Sequence, residues 1–333
     1  MSSPRARPAG LSREQAETAV SKATQAPSIM NCQPWRFAVT DDTIDLHAVP
    51  ERSPAGIDPT GREVYLSLGA ALLNLRLAVA ALGREPHVQL IPEPAQRTLV
   101  ARLRVGGLSE IGPLEQSLHA AIGLRRSSRR PFTEEPVQPE HFLRLQDAAS
   151  AEGGWLDAAT GSHRTAVLGV LHEADLEQRA NAAVVRDVGR WTHDRRDPRV
   201  GIGIDSLGPR PRDPTAAVRD VALGSEQSAR AAVDFEAHAL LAVLLTSGDA
   251  PIDWLRGGLA LERVLLTAVT VGIAVGLLSH GTEVPDLRPL VRDPSSRWRF
   301  PQLVLRFGYP SASMAPTARL PVTEVLEYAV TPA

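Results

Sequence analysis

Hydrophobic and polar positions follow helical spacing in two stretches of the first third of the chain. Residues 12–24 carry apolar side chains on one helical face, and Ser12 with Gln15 makes the pattern of a capping box. Residues 62–82 are apolar on most of their circumference and are followed by Gly83, a typical residue just beyond a helix end. The first stretch therefore predicts an amphipathic surface helix, and the second predicts a long buried helix.

Alternation of apolar and polar residues marks the predicted strands. It predicts strands at residues 36–40, 43–49, 98–105, 155–159, 239–246 and 302–307. Helical spacing returns at residues 139–150 and again from Gly257. Because helices and strands are interspersed along the whole chain, the pattern predicts an α/β or α+β fold.

One apolar helical stretch resembles a second one 189 residues further along the chain. Residues 69–83 (GAALLNLRLAVAALG) align with residues 258–272 (GLALERVLLTAVTVG). The identical pairs are Gly69 and Gly258, Ala71 and Ala260, Leu72 and Leu261, Leu77 and Leu266, and Gly83 and Gly272. Two apolar helices can share this much by composition alone, but the matching glycines favour an internal duplication. Helices of this kind must be covered on several sides, which predicts an interlocked pseudo-dimer.

Composition excludes several classes of protein. The chain of 333 residues has 36 Lys and Arg residues against 38 Asp and Glu residues, a formal net charge of −2. No overall positive field therefore attracts nucleic acid. Lys22 is the only lysine, which excludes a Walker motif and a Schiff-base lysine. Cys32 is the only cysteine, and the histidines are scattered, so we predict no metal site.

Two apolar features bear on membranes and targeting. The amino-terminal residues include no apolar core of a secretion signal. The longest uncharged apolar run, residues 264–278, is shorter than the ~20 residues that span a bilayer, and it is interpreted as a buried helix. The sequence predicts a cytoplasmic protein with no membrane partner.

Residues 186–220 interrupt the periodic pattern with many proline, glycine and arginine residues. A loop of this length in a compact domain is usually a lid, a binding loop or disordered. Trp191, Ile202, Ile204 and Leu207 offer apolar anchors in it. We therefore interpret this segment as a candidate lid.

Residues 26–37 (APSIMNCQPWRF) form the first candidate site and are called the asparagine loop below. Ser28, Asn31 and Gln33 supply donors and acceptors, and prolines stiffen the backbone around them. Such a loop suits the edge of a planar heterocycle, although an ordinary helix-to-strand connection explains the same residues. Cys32 is either a redox-sensitive thiol or, as we favour, a small buried side chain.

Residues 125–132 (RRSSRRPF) form the second candidate site, the arginine motif. Guanidinium groups beside serine hydroxyls suit a phosphate dianion. A solvated basic patch is the alternative on composition alone. Nucleic-acid binding is disfavoured because no aromatic stacking platform accompanies the arginines.

In combination, these motifs resemble the nitroreductase superfamily. The resemblance is carried by APSIMNCQPWRF, by IGLRRSSRRPF, by GLALERVLLTAVTVGIAVGLLS and by PQLVLRFGYP with PTARLPV. More narrowly, the chain resembles the fused, double-length Acg-type branch, whose members bind FMN. The resemblance implies an α+β nitroreductase-like fold with central apolar helices and mixed or antiparallel sheets.

The resemblance also implies how one site is shared by two halves. The first half, residues 1–115, has the asparagine loop without an arginine motif. The second half, residues 116–333, has the arginine motif without an asparagine loop and contains the candidate lid. Only one complete site can be assembled, so we expect one FMN per chain. The implied cofactor-binding residues are Pro27, Ser28, Asn31, Gln33, Arg125, Arg126, Ser127, Arg129, Ser279, His280, Thr317, Ala318 and Arg319.

Three functions remain open at this level. The first is an FMN oxidoreductase that takes hydride from NAD(P)H and reduces a nitroaromatic, a quinone or another small acceptor. The second is an occluded FMN storage protein with little turnover, and the third is an FMN-dependent dehydrogenase or oxidase of a biosynthetic pathway. In each case the cofactor carries the chemistry, so we predict no catalytic side chain. The fused halves predict a monomer, with a peripheral dimer as the alternative.

Overall fold

The computed structural model describes residues 10–193, 199–213, 216, 218–222, 230–296 and 298–328 of the chain. The helices are α1 (Arg13–Ala23), α2 (Arg62–Ala81), α3 (Pro113–Ala121), α4 (Pro139–Ser150), α5 (Gly161–Ala180), α6 (Ala182–His193), α7 (Pro251–Thr270) and α8 (His280–Glu283). The strands are β1 (Trp35–Val39), β2 (Thr43–Ala48), β3 (Arg84–Leu90), β4 (Leu99–Leu108), β5 (Trp155–Ala158), β6 (Arg210–Pro211), β7 (Ala232–Val233), β8 (Leu240–Thr246), β9 (Ala274–Leu278), β10 (Phe300–Gly308) and β11 (Leu326–Tyr328).

Helix α1 begins as its sequence predicts. The Ser12 hydroxyl accepts a hydrogen bond from the Gln15 amide at 3.2 Å, and the Gln15 side chain accepts one from the Ser12 amide at 2.9 Å. Two amides that would otherwise lack partners at the helix start are thereby satisfied. The capping box is confirmed.

Two sheets flank the central helices. The first has the order β11-β1-β2-β4-β3, and the second, wholly antiparallel, has the order β5-β8-β10-β9. Strand β11, near the end of the chain, pairs in parallel with β1, with Phe37 opposite Leu326. The second half of the sequence therefore completes the sheet of the first half. The mixture of helices and mixed or antiparallel sheets confirms the predicted α+β class.

Helices α2 and α7 pack against each other at the centre of the molecule. They meet at Gly69 and Gly258, and a Cβ atom added to either glycine would lie 2.8 Å from the Cα atom of the other. The added Cβ of Gly69 would also clash with the carbonyl oxygen of Leu255, and that of Gly258 would clash with the carbonyl oxygen of Leu66. These two contacts exchange under the 189-residue shift, as expected at the axis of an isologous interface. The crossing supports the duplication, which stays a prediction.

The apolar run at residues 264–278 is not one helix, as the sequence suggested. Helix α7 ends at Thr270, Gly272 adopts a left-handed conformation with φ of 74°, and the run continues as β9. The left-handed turn is strained for most side chains and free for glycine. Consequently, Ser279 and His280 follow a strand of the second sheet and do not directly follow the central helix.

The candidate lid is not irregular throughout, because α6 occupies its beginning. Trp191 and Leu207 are buried. The part of the chain after α6 includes β6 and β7, which pair in parallel as a small separate sheet. A loop was predicted here, although Val184, Val188 and Trp191 recur at helical spacing and form one buried face of α6.

Helix α2 is long and apolar enough to cross a membrane, the one such helix found in the described part of the chain. Most of its length is buried inside the protein, where it packs against α7 and α1. Its composition is therefore explained by its position in the core.

Candidate functional site

Two adjoining cavities lie where residues of the two halves meet. The larger has a volume of about 980 Å³ and the smaller about 570 Å³. Pro27 and Ser28 of the asparagine loop, Arg129 of the arginine motif, Leu277 of β9 and Ile202 line both cavities. The site is thus composite, with walls from the first half, the second half and the candidate lid.

Most of the predicted binding residues lie on these walls. The wall residues are Pro27, Ser28, Asn31, Arg125, Arg126, Ser127, Arg129, Ser279, His280, Thr317 and Arg319. Gln33 and Ala318 line neither cavity. Both of these residues instead make hydrogen bonds within the protein.

The asparagine loop has an unusual backbone. Met30, Asn31 and Gln33 all have positive φ values, of 47°, 52° and 51°. Such conformations cost of the order of 1–3 kcal/mol each and persist only where surrounding contacts hold them. The Ser28 hydroxyl accepts a hydrogen bond from the Gln33 amide at 3.1 Å, and the Ser67 hydroxyl of α2 accepts one from the Ile29 amide at 3.1 Å. The loop is therefore held from within and from the central helix.

The side chains of Asn31 and Gln33 join the loop to distant parts of the chain. Asn31 donates to the carbonyl of Gly201 at 2.8 Å and to that of Ala318 at 3.2 Å. Gln33, which is fully buried, donates to the carbonyl of Arg199 at 2.7 Å and accepts from the amide of Leu320 at 2.8 Å. Gln33 is therefore a brace behind the cavity wall, while Ala318 contributes its backbone carbonyl.

The arginine cluster, defined here as Arg125, Arg126, Arg129 and Arg319, surrounds the smaller cavity. Burial and the charge of Arg125 lower the pKa of Arg129 to about 10 and the pKa of Arg319 to about 9. Like charges held this close in a partly buried place favour an anion among them.

A single buried carboxylate faces this cluster in the described part of the chain. Glu262 of α7 lies 3.6 Å from the Arg125 guanidinium, measured from Oε1 to Nε. Burial raises the pKa of Glu262 to about 7, although the charge of Arg125 opposes the rise. A carboxyl with a pKa of about 7 is about half protonated at neutral pH, so it offsets only part of the positive charge.

Several donors of the cluster point to an oxyanion ligand. The Nε atoms of Arg125 and Arg126 are buried and have no hydrogen-bond partner among the described residues. The Ser127 hydroxyl lies 3.4 Å from Arg125 Nη1 on the same wall. Guanidinium forks with an adjacent hydroxyl match a phosphate dianion in charge and geometry.

The larger cavity continues from this polar region into an apolar slot. Its apolar wall includes Ile29, Leu66, Ile202, Leu261, Leu277 and Leu303. Leu66 and Leu261 come from the two central helices. A slot of this chemistry suits a planar aromatic ring system.

Polar residues close the other end of the slot. Sequence reasoning predicted His280 there but missed Glu63, Arg219 and Glu283, which also line the larger cavity. These three residues have no local sequence signal: Glu63 lies in the first turn of a helix, where acidic residues are common, Glu283 lies in the single turn of α8, and Arg219 belongs to an arginine-rich segment. Together with His280 they form what we call the polar end.

Of the apolar anchors named in the segment interpreted as a lid, Ile202 lies on the cavity wall. Trp191 and Leu207 do not line the larger cavity, whereas Ile202, Pro209, Val218 and Arg219 do. Arg129 donates a hydrogen bond to the carbonyl of Ser206 at 3.1 Å. Part of this segment therefore lies on the cavity wall and is joined to the arginine cluster by this hydrogen bond.

Cys32 is expected to resist thiol reagents in the native protein. Its side chain is fully buried, lies outside both cavity walls, and has a pKa raised strongly by burial. The reactive thiolate is therefore disfavoured. Ellman's reagent should label the denatured chain fully and label fewer than about one in ten native molecules over an hour, a ratio typical of a closed site. Rapid labelling of the native protein would contradict this placement.

The described residues contain no group of three or more histidine, cysteine, aspartate or glutamate side chains that could hold a metal ion. The polar end has two glutamates and one histidine, but the glutamates are engaged by Arg62 and Arg219. The chemistry of the site is that of cation and hydroxyl donors around an apolar slot.

Relatives of the chain were found by comparison with known proteins. No family model matches it. The chain is 30% identical over 327 residues to a Mycobacterium tuberculosis protein provisionally named NAD(P)H nitroreductase Rv3131, covering 95% of this chain and 92% of that one. It is 28% identical over 313 residues to the provisionally named NAD(P)H nitroreductase acg of the same organism, covering 93% and 94%.

A solved structure shares the fold. The crystal structure of a provisionally named nitroreductase from Anabaena variabilis superposes with a TM-score of 0.53 and 11% identity, covering 89% of this chain and 88% of that one. The nitroreductase-like fold predicted from the motifs is confirmed. Because the identity to the relative Rv3131 reaches 30% over nearly the whole of both sequences, the chain belongs to the nitroreductase superfamily, in its Acg-type branch.

Proposed function

We propose that the chain binds one FMN in the composite cavity and passes hydride from NAD(P)H to a small acceptor. The observation that carries the proposal is the arginine cluster at the mouth of an apolar slot, in which the buried Nε atom of Arg126 has no hydrogen-bond partner among the described residues. A phosphate group at one end and a planar ring at the other are the two features of FMN that these surfaces suit. The names of the relatives, which are NAD(P)H nitroreductases, support the same assignment.

Each part of the wall has a role in this proposal. Arg125 and Arg129 hold the phosphate, with Ser127 and Thr317 beside them. Charge-assisted hydrogen bonds of this kind contribute about 1.5–3 kcal/mol each. Arg319, whose guanidinium donates to backbone carbonyls such as those of Thr24 and Ala26, contributes its positive charge. Pro27, Ser28 and Asn31 bound the site from the first half, and Ser279 and His280 bound the slot from the second half.

The bound FMN supplies reversible hydride acceptance, which none of the side chains here can provide. The protein's own contribution is to orient the ring and to exclude water. Leu66, Leu261 and Leu277 form apolar walls, and Ile202 covers the slot from the candidate lid. These residues decide which acceptors reach the ring.

A second candidate function is retention of FMN with little turnover. The observation that favours it is the cover itself, since Ile202, Pro209, Val218 and Arg219 all reach the cavity wall from one segment. If this segment stays closed, NAD(P)H cannot stack on the ring. The experiment below separates the two functions.

The visible spectrum of the purified, FMN-incubated protein is the direct test. We expect one flavin per chain and rapid loss of the flavin absorbance after anaerobic addition of NADPH or NADH. Recovery of the absorbance on adding a quinone or nitroaromatic acceptor would complete the evidence for turnover. Dithionite provides the control for full reduction.

Two other outcomes would contradict turnover. A flavin that dithionite reduces but nicotinamide nucleotides leave unchanged over an hour supports the retention function. A protein that binds no FMN after incubation contradicts both functions and the reading of the arginine cluster.

A further inference from the structure

The polar end of the larger cavity contains charged groups that the proposed FMN site does not use. Glu63, Arg219, His280 and Glu283 line it, beyond the leucines of the apolar slot. Buried charges in such a place require partners, and one of them is only partly paired. The group concerned is Arg219.

Arg219 reaches the cavity from the candidate lid with a side chain that is only 8% exposed. Its Nη1 donates to Oε2 of Glu283 at 3.1 Å. Its Nε and Nη2 atoms are buried without hydrogen-bond partners in the described part of the chain. Leaving a buried donor without a hydrogen-bond partner costs about 1–3 kcal/mol. The Nε and Nη2 atoms of Arg219 therefore either bind a ligand or lower the stability of the folded protein.

Glu283 holds Arg219 in place and cannot also pair with the free edge. Oε1 of Glu283 accepts from the Ser279 hydroxyl at 2.5 Å, and Oε2 accepts from Gln178 Nε2 at 2.5 Å as well as from Arg219. Both carboxylate oxygens are therefore engaged. Glu283 is a positioning residue, and the Nε and Nη2 atoms of Arg219 remain available.

Glu63 and His280 line the same cavity but do not pair with the Nε–Nη2 edge of Arg219. Burial and the charge of Glu283 raise the pKa of Glu63 well above its ordinary value, although its ion pair with Arg62 opposes the rise. Burial and the charge of Arg219 lower the pKa of His280 well below its ordinary value. The Nδ1 atom of His280 is also buried and has no hydrogen-bond partner among the described residues. Glu283 is therefore the carboxylate that pairs with Arg219 among the described residues, and it does so through Nη1, away from the Nε–Nη2 edge.

The ligand class follows from the count and geometry of the donors. The Nε and Nη2 atoms of one guanidinium form the fork that binds a carboxylate through two parallel hydrogen bonds. A phosphate dianion would need a second cation, as provided by the arginine cluster at the opposite region of the cavity. The leucine walls beside Arg219 suit a flat apolar body attached to that carboxylate.

We infer that the Nε–Nη2 edge of Arg219 binds the carboxylate of a planar organic acid, which is the acceptor reduced or held beside the cofactor. This inference rests on the proposed function and specifies its substrate class. The contact with the acid then comes from a residue of the candidate lid.

The test compares benzoate with the uncharged, similarly shaped benzamide by isothermal titration calorimetry on the FMN-loaded, full-length protein. We expect benzoate to bind at least ~10-fold more tightly, since a charged fork contributes about 1.5–3 kcal/mol. Arg219→Gln should abolish this preference, so that benzoate and benzamide bind about equally. Arg219→Lys should retain only part of it. Arg212→Gln is the matched control, since Arg212 pairs with Asp234 on the exposed surface of the same segment.

Turnover gives the second readout. The wild-type ratio of kcat/KM for 4-nitrobenzoate over 4-nitrobenzamide should fall by about tenfold in Arg219→Gln and stay unchanged in Arg212→Gln. Equal affinities for benzoate and benzamide in the wild type would overturn the inference. So would an unchanged preference in Arg219→Gln, or a loss of FMN in that variant with the preference intact.

The outcomes distinguish this inference from the proposed function. If the FMN-loaded protein prefers benzoate but does not oxidise NADPH, the carboxylate site is supported and the proposed turnover is contradicted. If the protein turns over but binds benzoate and benzamide equally, the proposed function is supported and the carboxylate site is contradicted. If no FMN binds, calorimetry on the FMN-free chain still shows whether benzoate is preferred.

Discussion

Replacing Arg125 and Arg319 together with alanine is expected to yield a folded, colourless protein. A charge-assisted contact of Arg125 worth about 1.5–3 kcal/mol would be lost together with the positive charge of Arg319, which corresponds to an affinity for FMN that is weaker by ~10- to 10²-fold or more. The loss of Arg125 leaves Glu262 without its cation, but the pKa of Glu262 is already raised to about 7, so the carboxyl can take up a proton. Flavin absorbance per chain after gel filtration measures the effect.

The matched control removes two other arginines. Arg76→Ala with Arg102→Ala deletes guanidinium groups that pair with Glu152 and Asp45, away from both cavities. This double variant should retain FMN at the wild-type ratio. Stoichiometric FMN in the Arg125→Ala, Arg319→Ala protein would overturn the assignment of the arginine cluster.

Gly69→Ala and Gly258→Ala are each expected to destabilise the protein by about 3 kcal/mol or more. The new methyl group would lie 2.8 Å from the Cα of the partner glycine and inside contact distance of a backbone carbonyl, neither of which can move away freely. The reciprocal geometry predicts similar losses for the two variants. Urea unfolding at equilibrium measures them.

Gly169→Ala provides the control for this pair. Gly169 lies in α5, a helix of the same length as α2 and α7, and no atom lies within 4 Å of an added Cβ. Alanine there should stabilise the protein by about 0.4–1 kcal/mol. A loss below about 0.5 kcal/mol in Gly69→Ala would show that the central helices are not as closely packed as described.

Elements set by local interactions were predictable from the sequence. Helix α1 follows from its capping box, and helix α4 begins and ends where its apolar spacing predicts. The matching glycines of α2 and α7 favoured a duplication, and the structure adds that one matched pair, Gly69 and Gly258, lies where the two helices cross. Caps, turns and periodicity depend on neighbouring residues, and for this reason they can be read without the fold.

The same holds for the residues with a strong chemical signature. The arginine motif and the asparagine loop both lie on the walls of the composite site. Gln33 was equally polar in the sequence, yet its strained backbone at φ of 51° directs its side chain behind the wall, where it binds Leu320. Residue type therefore indicated the chemistry, while backbone conformation decided the direction.

By itself the sequence determined the α+β class, the central helices and the two halves of the candidate site. Only the tertiary structure decided that residues 264–278 divide into the end of a helix and a strand, because glycine 272 permits a left-handed turn. It also brought Glu63, Arg219 and Glu283 together at one end of the cavity. Contacts between positions this far apart are set by the packing of whole helices and sheets, to which no local pattern responds.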